Sequence, residues 1–142
     1  MSLTMLMPHE LDAEEIGYYY DAIETDEHSG GPEVVSRLIL DGLMELWVYN
    51  QDNVINVIIT RIITHPDGYR ELFIAMMAGS NVTSTHSHVV IHDQLLEYAK
   101  KQGASRLSAC VKPEIWNHFK DITGYNDEYI MITLDANYRE EK

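Results

Sequence analysis

Basic residues, cysteine and phenylalanine are all scarce in this chain. Ten Lys and Arg stand against 23 Asp and Glu over 142 residues, a formal net charge of −13. Binding nucleic acid requires clustered Lys and Arg to neutralise phosphates. Here the basic residues are scattered and none precedes Arg37, so no nucleic-acid partner is expected. The single cysteine, Cys110, rules out an internal disulfide and any Cys-based zinc site. Its place in a predicted buried strand makes it a packing residue. No apolar run approaches the roughly 20 residues of a membrane span, and the first residues lack the charged start and apolar centre of a secretory signal. A soluble cytoplasmic protein without a membrane partner is the expectation.

What is present suits a single core. Hydrophobic residues make up 45% of the chain, enough at this length for one domain over residues 1–142. Acidity is concentrated early, with eight carboxylates from Glu10 to Glu27. Such a segment reads as a solvated helix face or as a rim that attracts cationic amines.

The hydrophobic pattern changes period along the chain. Ser2 to Met7 alternates weakly, as a short edge strand would. Pro8 to Ile23 has helical features, with Pro in the first turn and acids close behind. His28 to Pro32 is a turn, and Glu33 to Asp41 places Val34, Val35, Leu38 and Ile39 on one helical stripe. From Leu43 the pattern is strand-like: Leu43 to Tyr49, a turn at Asn50 to Asn53, then Val54 to Thr64, rich in Ile and Val. A turn at His65 to Gly68 leads to a strand from Tyr69 to Ala78. The short turns between these three strands require an antiparallel meander.

Met77 to Val111 is the most informative stretch, because it runs from strand end through a tight loop and a long helix into another strand. The helix carries Val89, Ile91, Leu95, Leu96 and Ala99 roughly on one face, and Gly103 occupies a C-cap position. A helix that opens directly after a buried strand aims its free N–H groups at the loop, which makes an anion site. Ser105 to Val111 is the next strand, followed by a short helix from about Pro113 to Ile122 and a last strand from Tyr129 to Leu134. Trp47 and Trp116 read as packing residues.

The resulting order, β-α-α-β-β-β-α-β-α-β, resembles the GNAT superfamily of acyl-coenzyme A dependent N-acyltransferases over nearly the whole chain. The segment Glu97 to Val111 is similar to the family's third helix and fifth strand, and Gly124-Tyr125 to its Gly-aromatic step near the C-terminus. The resemblance implies an α/β (α+β) fold with a mixed, mostly antiparallel sheet flanked by helices. It also implies acetyl-coenzyme A as the acyl donor and a small-molecule or protein amine as acceptor. Met76, Met77 and Ala78 would meet the pantetheine arm, and the loop of Thr83, Ser84, Thr85, His86, Ser87 and His88 the diphosphate. In the family that loop reads Gln/Arg, two residues, Gly, any residue, Gly/Ala, so that backbone N–H groups approach the phosphates. Here Thr83, His86 and His88 stand at its three defining positions. Glu71 corresponds to a general base, and Lys120 falls where many members carry a Tyr that protonates the leaving thiolate.

His88 and His92 share a helix face at a spacing that can chelate zinc. Together with His86 they lack a fixed carboxylate, so they read as surface imidazoles and no metal is expected. Two functions stay open. One is an acetyltransferase acting on an amine. The other is a non-catalytic structural or interaction protein that keeps the fold without the cofactor site. The segment from Lys112 to Tyr125 resembles small internal virion proteins of tailed phages, which would place that alternative in a phage virion. A homo-oligomer is open in either case.

Overall fold

The computed structural model describes residues 3–80 and 85–110, with backbone alone for 85–88. The elements expected over Pro113 to Ile122 and Tyr129 to Leu134 lie outside the described residues, as do Thr83, Ser84, Trp116 and Lys120. Five strands form one sheet in the order β1-β2-β3-β4-β5. They are β1 (Leu3–Leu6), β2 (Glu45–Gln51), β3 (Val54–Thr64), β4 (Arg70–Gly79) and β5 (Arg106–Ala109). Helices α1 (Ala13–Glu24) and α2 (Pro32–Leu40) precede β2, and α3 (Thr85–Lys101) joins β4 to β5. All strand pairs are antiparallel except β4 with β5, the one pair joined by a helical crossover, as parallel pairing demands. Among the described residues no helix is long and apolar enough to cross a membrane.

Hairpin chemistry sets the meander. Asp52 and Asn53 both take positive φ, 52° and 63°, so β2 and β3 are joined by a two-residue turn of the type that suits the twist of paired strands. The expected turn at Asn50 to Asn53 therefore narrows, and Asn50 and Gln51 stay in β2, paired with Ile55 and Val54.

Each face of the sheet buries its own cluster. Trp47, Ile58, Leu72 and Ile74 pack with Ile91, Leu95 and Ala99 of α3. On the other face Leu46, Val57, Ile59 and Met76 meet Tyr19, Ala22 and Ile23 of α1 and Val35 and Ile39 of α2. The result is three layers, helix on sheet on helix. Leu95 and Val57 are fully enclosed, and truncating such a residue to Ala costs about 2–5 kcal/mol. The Tyr19 hydroxyl lies 2.8 Å from Ser36 Oγ, tying α1 to α2.

Several expectations are corrected. Pro8 to Ile23 is not one helix: Pro8–Glu10 is a single 3-10 turn, and α1 starts afresh after Asp12. Asp12 Oδ1 accepts the Glu15 N–H at 2.8 Å, and Glu15 Oε1 accepts the Asp12 N–H at 3.0 Å. This reciprocal cap favours a new start over continuation. The α3 stripe is narrower than its sequence suggests, with Ile91, Leu95 and Ala99 buried while Val89 and Leu96 are exposed. His92, expected at the surface, is buried, because its position flanks Ile91 on the face that meets the sheet. Cys110 is exposed instead of buried, since β5 ends at Ala109. Gly103, with φ +75°, does end α3: its N–H bonds to the Lys100 carbonyl at 3.1 Å, and that of Ala104 to Ala99 at 2.8 Å.

Candidate active site

The sheet opens at β4. Its parallel pairing with β5 runs from Glu71–Arg106 to Ile74–Ala109 and stops there, while β4 continues to Gly79. Just past the last pair the β3 register slips: Thr60 faces Ile74 and Ile59 faces Met76, so Ala75 is an extra residue without a counterpart. A bulge of this kind bends its strand and interrupts pairing. It also shifts which side chains face which layer. Ile74 and Met77 join the cluster under α3, whereas Ala75, Met76 and Ala78 pack on the α1 and α2 side. Met76, Met77 and Ala78, expected to line a pantetheine arm, thus lie on the stretch of β4 that β5 does not cover.

Beyond this stretch the chain is pinned by small residues. Ser80 Oγ accepts the Ile55 N–H at 2.8 Å, and the Ser80 N–H bonds to the Ile55 carbonyl at 2.8 Å. Gly79 faces Asn56 across the ladder, and the Asn56 side chain occupies the space where a Cβ on Gly79 would go. Asn56 is 2% exposed, and its Nδ2 has no hydrogen-bond partner among the described residues. A buried donor left unmatched is unusual enough to mark a functional position. Helix α3 begins at Thr85, so Thr85, His86, Ser87 and His88 form its first turn. Their backbone N–H groups have no acceptor within the helix and are the donors an anion would use.

A cavity of about 530 Å³ adjoins the bulge on the α1 and α2 side. Ala75 and Met76 form part of its wall, Asp26 and His28 of the α1–α2 connection another part, and Arg61, Phe73 and Cys110 are also among its lining residues. The connection is held as a turn: Asp26 Oδ1 accepts the His28 N–H at 3.0 Å and the Asp26 carbonyl that of Ser29 at 3.0 Å. Arg61 lies over the Phe73 ring, 5.7 Å from its centroid. Sequence reasoning missed Asn56, Asp26, His28 and Arg61. Asn56 and Arg61 interrupt a strand otherwise made of Val, Ile and Thr, and that interruption was the available signal.

Glu71, expected to act as a general base, is at the far end of β4 from the bulge. It precedes Ala75 by four positions, roughly 13 Å along an extended strand. Its Oε1 accepts from Ser108 Oγ at 3.1 Å, its Oε2 from Arg106 Nε at 3.2 Å, and His65 Nε2 lies 3.4 Å from Oε2. Arg106 Nη2 adds an ion pair at 3.1 Å. Burial pushes the Glu71 carboxyl up, but the bonds from Ser108, Arg106 and His65 and the Arg106 charge outweigh it, so the net shift is downward. The arrangement stabilises a carboxylate and ties the β3–β4 turn to β5. Glu45 moves the other way: burial raises it, against a 2.9 Å bond from Thr60 Oγ1 that lowers it.

Comparison with solved structures finds the same architecture in acetyltransferases. A ribosomal-protein-alanine N-acetyltransferase from Brucella melitensis biovar Abortus 2308 is 15% identical with a TM-score of 0.64, covering 95% of this chain and 99% of its own. An aminoglycoside acetyltransferase from an uncultured soil metagenomic sample, in complex with sisomicin, is 10% identical with a TM-score of 0.68, covering 94% of each chain. A predicted acetyltransferase from Clostridium acetobutylicum, with acetyl-CoA, is 12% identical with a TM-score of 0.59, covering 92% of this chain and 96% of its own. No protein-family model matches the chain, and no curated protein matches it in sequence. At these identities the likeness establishes the fold: the chain has the GNAT acetyltransferase fold.

Proposed function

We propose that the protein is an N-acetyltransferase that moves an acetyl group from acetyl-coenzyme A to an amine. The observation that carries this reading is the early end of β4–β5 pairing at Ile74–Ala109, with β4 running on to Gly79 beside a bulge at Ala75. The described residues fit the donor. The N–H and C=O groups on the edge of β4 past Ile74, which no described strand pairs on the β5 side, suit an amide-bearing arm, and the first turn of α3 suits its diphosphate. Bound acetyl-coenzyme A would supply the acyl group: the amine nitrogen bonds to the carbonyl carbon, the C–S bond breaks, the amine loses a proton and the thiolate gains one.

The chain's own part is mainly positioning. The freed edge of β4 fixes the donor, and the cavity at Ala75 and Met76 holds the amine in line with it. Asp26 and His28 border that cavity and are available to take the amine's proton. Glu71 would act as base only through a chain of waters, given its distance from Ala75 and its lowered pKa. Lys120, at the family's Tyr position, remains the proposed donor to the thiolate.

A second reading, the fold kept without catalysis, is favoured by one observation: His86 and His88 stand where the family's loop has small residues. Calorimetry with acetyl-coenzyme A separates the two. Micromolar binding, together with thiol release when an amine is added, supports the transferase. A folded protein that binds nothing at pH 6 or pH 8 overturns it.

A further inference from the structure

The cavity beside the bulge is lined by an exposed guanidinium, that of Arg61, which has no carboxylate partner among the described residues. Among the described residues the ion pairs are His28–Glu27, His65–Glu71 and Arg106–Glu71. Arg61 is in none of them, although acids outnumber Lys and Arg by 23 to 10. Two other arginines are engaged: Arg106 pairs with Glu71, and Arg70 Nη1 donates to the Gln102 carbonyl. Arg61 instead lies over Phe73, its cross-strand partner, on the cavity wall. A guanidinium beside an aromatic ring still has its fork of N–H donors free for a ligand, which suits bidentate capture of a carboxylate.

We infer that Arg61 docks a carboxylate of the acceptor, so the acceptors are amines that also carry a carboxylate, such as free amino acids. This inference rests on the acetyl-transfer reading. Phe73, opposite Arg61, is two positions before Ala75, roughly 7 Å along the strand. Arg61 and the bulge therefore border the same cavity, on neighbouring strands. Charge leads to the same class. A purely cationic amine would be drawn to Asp26 but would meet an unneutralised Arg61, and a dianion would be repelled by a protein of net charge −13. A zwitterion satisfies both Asp26 and Arg61 and carries no net charge into that field.

The test is a thiol-release assay with acetyl-coenzyme A and amine pairs that differ only in the carboxylate: lysine with 1,5-diaminopentane, phenylalanine with phenethylamine, β-alanine with ethylamine. The carboxylated member of at least one pair is expected to show a kcat/KM at least tenfold higher. Arg61→Gln should erase that preference mainly through KM, Arg61→Lys should restore part of it, and acetyl-coenzyme A affinity should be the same in all three proteins. Circular dichroism confirms that the variants fold. Turnover that favours the carboxylate-free members, a preference unchanged in Arg61→Gln, or donor binding without turnover of any carboxylated amine overturns this inference alone. Failure of the wild-type protein to bind acetyl-coenzyme A overturns the acetyl-transfer reading and this inference with it.

Discussion

The Asn56 side chain fills the space that a Cβ on Gly79 would need, at the point where β4 gives way to the loop before α3. The glycine is required by this close approach and not by backbone strain, since Gly79 is not among the positive-φ residues. The buried amide and the missing side chain form one unit.

Gly79→Ala is therefore expected to destabilise the protein by about 1–3 kcal/mol, the usual cost of overpacking. Adding Asn56→Ala should recover most of that loss, because it removes the atoms in conflict. Urea unfolding of the wild type, both single variants and the double variant measures the coupling. Additive losses would show that the two residues act independently.

Glu71 predicts a pH-dependent stability. Its carboxyl is held below the ordinary 4.5, so its contribution is full above about that pH and is lost as pH falls through the lowered value. Glu71→Gln should cost about 1–3 kcal/mol at neutral pH, as expected when Arg106 and Ser108 lose a charged acceptor. Thermal melts of both proteins should converge as the pH is lowered below 4.5. A constant difference down to pH 3 would contradict the assignment.

Glu45 predicts the opposite slope. Burial lifts its carboxyl above 4.5 despite the Thr60 hydroxyl, so the stability it contributes is present below that pH and fades as pH rises through the raised value. Glu45→Gln should thus raise the melting temperature at pH 7.5 and leave it little changed at pH 4. Gln can still accept from Thr60, which isolates the effect of charge.

His88→Gly is expected to tighten acetyl-coenzyme A binding if the imidazole obstructs the diphosphate, while costing about 1 kcal/mol of helix stability. Calorimetric titration of wild type and variant decides it. Unchanged affinity, with the wild type already binding tightly, would show that the histidine leaves the site open.

Much of the architecture was legible in the chain itself. A run rich in Ile and Val delimited β3 at Val54–Thr64 as found, turn residues forced the meander, and Gly103 marked the end of α3. These are local effects of sterics and periodicity, and they act within a few residues. The break at Asp12 was equally local, yet the helical features of Pro8 to Ile23 masked its capping box.

The site was decided by tertiary structure. The extra residue at Ala75 has no signature in RELFIAMMAG, because a bulge exists only relative to the strand opposite, here Ile59 and Thr60. The end of pairing at Ile74–Ala109 likewise depends on where β5 arrives after the crossover. Glu71 could be read as a base from its place in the strand, but its bonding to Ser108 and Arg106 could not, since those partners come from a strand more than thirty residues later. Sequence by itself determined the elements and their order, because propensity and hydrophobic period are properties of neighbouring residues. Only the packed sheet determined where β4–β5 pairing ends, the meeting of Asn56 with Gly79 and that of Arg61 with Phe73, because each is a relation between distant residues that folding brings together.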